Sequence, residues 1–294
     1  MSQCETIVRD KVYPAYRQYL SYMQRILPLS SNDAGVWKLP NGDAYYQQQL
    51  RFFTTTNMTA SNIHELGISE TARIQSEILT ILESEGYPAN EGFSKAIFAL
   101  ADDPKHYYPD SDEGHAQIIS DYKTIIREIT GRIGEVVRNP VIEDIDFQRI
   151  PLFKEKDSAG AYYERPSMDG SRPGVFFANL HDIKATPKYG MKTLAYHEAV
   201  PGHHFQITTA NQLKGLPLFR SFVPSIAYLE GWALYSERLA YEMGLIKDPL
   251  VNVGLTSRTF SCCEAGCRYW NSLQTLDAGA SHRLHVSKYR HGKV

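Results

Sequence analysis

YHEAVPGHHFQ (Tyr196–Gln206) and, further on, YLEGWALYSE (Tyr228–Glu237) decide how this chain is read. The first places three of the ten histidines and one glutamate within the eight residues 197–204. The second sets two acids, Glu230 and Glu237, seven apart on an amphipathic helical pattern. A catalytic zinc site uses three protein side chains and keeps a fourth position for water, which a neighbouring carboxylate can deprotonate. A His-Glu pair, further His on the same segment and a later helical Glu make up that donor set.

Spacing sets the next constraint. In HExxH the two His are four apart, about 40° around and roughly 6 Å along one helix face. Here His203 follows His197 by six residues and His204 by seven. On an unbroken helix His203 would lie about 120° away, and His204 about 10 Å along the axis. Neither suits two ring nitrogens that each need to sit about 2 Å from one ion. Pro201 removes the hydrogen bond to the His197 carbonyl, and Gly202 opens conformations closed to other residues. A break at Val200-Pro201-Gly202 can therefore absorb two extra residues and put His203 where the second His of HExxH stands.

Each residue also has a plainer reading. A single buried His is usually a hydrogen-bonded core residue, and a helix acid is usually solvated or paired. The clustering with Glu198 and the Pro-Gly break favour metal chemistry over these readings taken singly. Glu230 gains weight from its neighbours Tyr228, Leu229, Trp232, Ala233 and Leu234, an apolar setting in which an unpaired carboxylate is costly. Glu237 either orients a ligand by hydrogen bonding it or pairs with a nearby Arg or Lys.

HEAVPGHHFQ followed by YLEGWALYSERLAYEMGL resembles the bacterial family called domain of unknown function 885, whose members look like distant relatives of the helical zinc peptidases. YPAYRQYL near the start, LPNGDAYYQQQLRFFTT at 39–55, IHELGISETARIQSEI at 63–78 and DGSRPGVFFANL at 169–180 extend the resemblance over most of residues 10–255. The resemblance implies a mainly α, gluzincin-like zinc-metallopeptidase fold with a small antiparallel sheet. It implies His197, His203 and Glu230 as zinc ligands and Glu198 as general base, with His204 as the alternative ligand. The reaction would be hydrolysis of a peptide substrate. A catalytically inactive metal-binding or interaction fragment stays open, as does a non-peptidase His/His/carboxylate enzyme, since such sites also hold iron. The Glu directly after His197 favours hydrolysis, because oxygen chemistry needs no base there.

The rest of the composition is consistent with this reading. The 294 residues can bury a substantial core. Charge is near balance, −2 with 31 basic and 33 acidic residues interspersed, so no basic patch argues for nucleic acid. No apolar run approaches the roughly 18 residues of a membrane span. The first 30 residues carry Arg9, Asp10, Lys11 and Arg17 and lack the apolar core of a signal peptide. Cytosol is the default expectation, and the periplasm applies if an export segment precedes this chain.

Helical periods run over 7–27, 72–85, 118–137, 194–213 and 226–243, with metal-site helices expected at about 191–213 and 225–243. Gly244 is a plausible C-cap. FQRIPLF, AGAYYERPS and GVFFANL, over about 147–180, read as an antiparallel sheet. GVFFANL is the candidate edge strand for a substrate backbone, against a purely structural role. Tyr163, Arg165 and Tyr228 are candidate oxyanion donors. His64-Glu65 has no second His at HExxH spacing, and no Gly-x-Ser-x-Gly elbow supports a serine hydrolase.

The family pattern is expected to hold through 1–257 as a partial metallopeptidase-like domain. From Arg258 the chain reads RTFSCCEAGCRYW, with Cys262, Cys263 and Cys267 and no helical period. A one-base frame shift permits a family-like helix in its place, so 258–294 is expected to be an aberrant tail.

Overall fold

The computed structural model describes residues 3–31, 35–167, 170–215, 217, 219–222 and 225–256. The expected aberrant tail and its three cysteines lie outside the described residues. The chain falls into two compact units, divided between Tyr46 and Gln47. In the first, α1 (Gln3–Ile7) passes through a π-helical turn at Val8–Val12 into α2 (Tyr13–Ile26). Pro14 sits in the first turn of α2, directly after the π-helical turn at which the hydrogen-bond ladder changes register. α3 (Gly42–Thr54) follows and runs across the division into the second unit.

In the second unit α4 (Ala60–Ser84) opens on a capping box in which Thr59 and Asn62 bond each other's backbone amides. Helix therefore begins well before the apolar period at 72–85, because the cap starts it and packing only stabilises its second half. Ile74, Ile78 and Leu82, one turn apart, are fully buried against Ala96 and Leu100 of α5 (Phe93–Asp102) and against Leu250 and Val253 of a helical segment over 249–256. Each such side chain contributes about 1.5–3 kcal/mol of burial. α6 (Asp112–Arg132), capped by Ser111, turns Ile118, Tyr122, Ile126 and Ile129 toward the sheet. Neither α3 nor α5 is among the segments whose periodicity predicts a helix.

The sheet is mixed, which corrects the antiparallel expectation. β1 (Ile145–Arg149), β2 (Ala161–Glu164) and β3 (Gly174–Ala178) lie in the order β1-β3-β2. β3 is parallel to β1, with Phe147 beside Phe176, and antiparallel to β2, with Tyr163 beside Phe176. The chain after β1 turns through α7 (Leu152–Glu155), so the reversal falls on β2 and the last, most apolar strand inserts between the other two. Phe176 at its centre is fully buried, 4.8 Å from the Tyr122 ring. GVFFANL is thus the central strand. Its backbone is used on both sides and is not an edge for a substrate.

The single helical period at 194–213 resolves into α8 (Lys188–Glu198) and α9 (His203–Gln212), broken at Ala199–Gly202. α10 (Phe219–Phe222) is one turn, and α11 (Ile226–Glu242) starts at a Ser225 cap. Beyond it Gly244 takes φ +71 and donates to the Tyr241 carbonyl while Leu245 donates to Ala240, a Schellman closure as expected from the sequence. α8 and α11 join α6 and the sheet in one core through Met191, Ala195, Tyr196, Leu239 and Ala240. Among the described residues no helix is long and apolar enough to cross a membrane.

Candidate metal centre

α8 ends three residues before Pro201, and its last two residues are His197 and Glu198. The chain then doubles through a cis Val200-Pro201 bond and restarts as α9 at His203. Gly202 allows this closeness. A Cβ there would fall 1.8 Å from the His197 carbonyl oxygen and 2.3 Å from that of Tyr196, so every other residue is sterically excluded. The break brings the rings of His197 and His203 to 4.8 Å between centroids, nearly perpendicular.

Glu230, in the second turn of α11, faces both. Its Oε2 lies 3.5 Å from His197 Nε2 and 3.7 Å from His203 Nε2. One donor atom from each of the three residues falls within 4.8 Å of the others. Donors about 2.0–2.1 Å from a tetrahedral zinc are about 3.4 Å apart, so the two carboxylate–imidazole separations fit a shared ion. The histidines are mostly buried, but the Glu230 side chain is 51% exposed. That corrects the apolar setting read from its neighbours: Tyr228 turns outward, and Glu230 opens to solvent with it.

The buried acid of α11 is Glu237. It is fully buried, and His197 Nδ1 donates to its Oε1 at 2.7 Å. A carboxylate accepts only, so the proton sits on Nδ1 and the Nε2 lone pair points at the cluster. Of the two readings of Glu237, the structure takes the one in which it orients a histidine. Glu198, half-buried at the end of α8, is adjacent in sequence to His197.

His204 stands apart from the cluster. Its Nε2 donates to the Glu143 carbonyl at 2.8 Å, and the Tyr163 hydroxyl donates to its Nδ1 at 2.9 Å. Both nitrogens are engaged away from Glu230, which removes His204 as an alternative ligand. Burial holds its pKa below the ordinary imidazole value and pushes the Tyr163 hydroxyl up, so both groups stay neutral. Gly174 leaves the space for this contact, since a Cβ there would meet the Tyr163 hydroxyl at 2.4 Å. Tyr163 is therefore committed to anchoring α9. Arg165 is exposed on the chain after β2, and Tyr228 is 67% exposed.

Two residues that sequence reasoning did not assign complete the local structure. Trp232 Nε1 donates to the Pro201 carbonyl at 2.8 Å, and the Ser236 hydroxyl lies 3.1 Å from the same oxygen. The signal was present in YLEGWALYSE. An indole N–H and a hydroxyl four residues apart on a largely apolar helix face need an acceptor.

Fold and cluster together define a mainly helical protein with a His/His/carboxylate group suited to a divalent metal. The chain matches the family described as bacterial protein of unknown function (DUF885) over residues 1–261, and it belongs to that family. Among solved structures it is similar to "the putative lipoprotein from Colwellia psychrerythraea", at 34% identity and a TM-score of 0.86, over 90% of this chain and 45% of that one. It shares a fold with "a putative lipoprotein of unknown function from Shewanella oneidensis", at 18% identity and a TM-score of 0.67, over 91% and 50%. The chain spans about half the length of both. Comparison with curated proteins gave no match.

Proposed function

We propose that this chain carries the metal centre of a zinc-dependent, gluzincin-like peptidase. The observation that carries the reading is the convergence of His197, His203 and Glu230, with Glu198 next to His197 in the sequence and Glu237 fixing the tautomer of His197. The donor set of two imidazoles and one carboxylate matches catalytic zinc sites that keep a position for water. Zinc bound there would supply Lewis acidity toward a peptide carbonyl and acidify water.

The chain's own residues do the rest. Glu198 accepts the proton of the attacking water and returns it to the leaving amine. Glu237 holds the proton of His197 on Nδ1, so that Nε2 is the atom presented to the metal. The half-exposed Glu230 leaves the cluster open to a peptide.

A second reading, a metal-binding fragment without catalysis, is favoured by one observation. Tyr163 is engaged with His204, so one of the three oxyanion candidates is already spent. A longer protein such as the solved neighbours could supply that donor from its remaining half. The description of those neighbours as "putative" lipoproteins supports an exported protein, and on this reading a periplasmic setting replaces the cytosolic default.

Metal analysis of purified protein with a peptide-cleavage assay tests the proposal. One zinc per chain is expected, with Glu198→Gln retaining it while hydrolysis falls about 10²–10⁴-fold. Loss of metal in that variant would mean that the roles of Glu198 and the ligands are misassigned.

A further inference from the structure

The three clustered residues come from three helices, and one of those helices controls all of them. α11 contributes Glu230 itself. Seven residues on, Glu237 holds His197 through Nδ1. Between them Trp232 Nε1 donates to the Pro201 carbonyl at 2.8 Å, and the single hydroxyl proton of Ser236 is shared between that oxygen at 3.1 Å and the Trp232 carbonyl at 2.9 Å. Pro201 is two residues before His203, at the centre of the break that brings His203 opposite His197. Ala199 is the last amide in the α8 ladder, donating to Ala195, and Phe205 is the next described donor back across the break, reaching the Ala199 carbonyl at 3.2 Å. The Pro201 carbonyl lies in that break, turned to α11.

We propose that Trp232 and Ser236 form a clamp on the Pro201 carbonyl that positions His203 for metal binding, and that they are positioning residues for the site. The inference rests on the proposed metal reading for its consequence but not for its geometry. The Pro201 carbonyl accepts fully from the Trp232 indole and in part from the shared Ser236 hydroxyl, and both groups belong to the helix that also carries Glu230. Displacement of the Val200-Pro201-Gly202 turn would therefore move His203 relative to Glu230. On the other side of α9, His204 is tied to Tyr163 and to the Glu143 carbonyl. The first turn of α9 is thus held from both flanks, by α11 at Pro201 and by the sheet side at His204.

The test uses this chain with Trp232→Phe and Ser236→Ala, singly and together, and Arg238→Ala as an exposed control on the same helix. Trp232→Phe keeps the apolar ring and removes only the indole donor, and Trp232 is half-buried, so this variant should fold if Ser236→Ala does not. Two readouts are taken. Zinc affinity is measured by competition, with the visible spectrum of the cobalt-loaded protein reporting ligand geometry. Hydrogen exchange of the metal-free protein follows the amides of 199–206.

The clamp variants are expected to exchange faster across 199–206, to bind zinc at least about tenfold more weakly, as for lost outer hydrogen bonds at metal sites, and to change the cobalt spectrum. Arg238→Ala should match the parent in all three. Folded clamp variants with unchanged exchange and zinc affinity within about twofold of the parent would overturn the clamp. A parent that binds no zinc, with faster exchange in the variants, would support the clamp and reject the peptidase reading instead.

Discussion

Replacing Gly202 by Ala adds one methyl group at the point where the chain folds back on itself. An ideal Cβ would stand 1.8 Å from the His197 oxygen, 2.3 Å from the Tyr196 oxygen and 2.4 Å from the His197 carbonyl carbon. Contacts under 3.0 Å are essentially never tolerated, and these atoms are backbone rather than the end of a flexible side chain. The φ of Gly202 is −75°, so left-handed strain is not the cause and the whole penalty is steric. Relief requires more than an ångström of backbone movement between the end of α8 and the start of α9. Overpacking of this kind costs about 1–3 kcal/mol and occasionally more, and two carbonyls in the way put Gly202→Ala at about 3 kcal/mol. For a unit of this size that lowers the midpoint by roughly 6–12 °C.

Gly231→Ala is the natural comparison, because a Cβ in the middle of α11 meets nothing within 4 Å and should stabilise by about 0.5–1 kcal/mol through helix propensity. Thermal unfolding by circular dichroism reads the opposite signs. Zinc competition reads the second consequence, since the clash moves the residue carrying the first ligand. A folded Gly202→Ala protein melting within about 2 °C of the parent and binding zinc equally well would refute the role assigned to the break.

Glu237→Gln keeps an acceptor for His197 Nδ1 but removes the charge, so zinc affinity should fall about 10–100-fold; equal affinity by competition would reject the orienting role. Glu155 is buried, paired with Arg149 at 2.6 and 2.9 Å, and accepts from the Leu180 amide. Arg149 holds its carboxyl below the usual 4.5. A depressed folded pKa gives stability that is present above the unfolded value and lost as pH falls through the folded one. Glu155→Gln should therefore cost about 1–3 kcal/mol at neutral pH, with the gap to the parent closing below about pH 4 in urea melts; a gap independent of pH would show that the ion pair is not its source.

What the sequence revealed follows the range of each interaction. The break at Pro201-Gly202 and the C-cap at Gly244 depend on backbone rules confined to a few residues, and both are seen where the residues predict them. Helix existence was readable wherever one face is buried, as in α6 and α11. α3 and α5 were not: α3 buries only the glycine that opens it and α5 is short, with only Ala96 and Leu100 in the core, whereas α2 was readable from its apolar period although none of its residues is buried. Sheet order was not legible from strand composition. AYYE and GVFFA both look like strands, and which one takes the centre is decided by which buries both faces, a property of the helices around it.

The same limit separates the two acids of α11. Their local sequences differ little, both being set among aromatic and aliphatic residues, and the apolar company of Glu230 pointed to burial. The helix rotates Tyr228 and Glu230 toward solvent and buries Ser236 and Glu237. The environments are therefore reversed from the local reading, yet this reversal suits the chemistry proposed for each. A carboxylate that must meet a metal and a substrate needs an open side, and one that holds an imidazole tautomer needs a fixed, dry one. His203 and His204 divide in the same way. Adjacent residues on one helical turn point about 100° apart, and with His203 toward Glu230 its neighbour His204 meets Tyr163 and the Glu143 carbonyl. Local spacing left two histidines that could stand beside His197. Which of them faces Glu230 goes with contacts 31 and 61 positions apart in the chain, Trp232 with Pro201 on one side and Glu143 with His204 on the other.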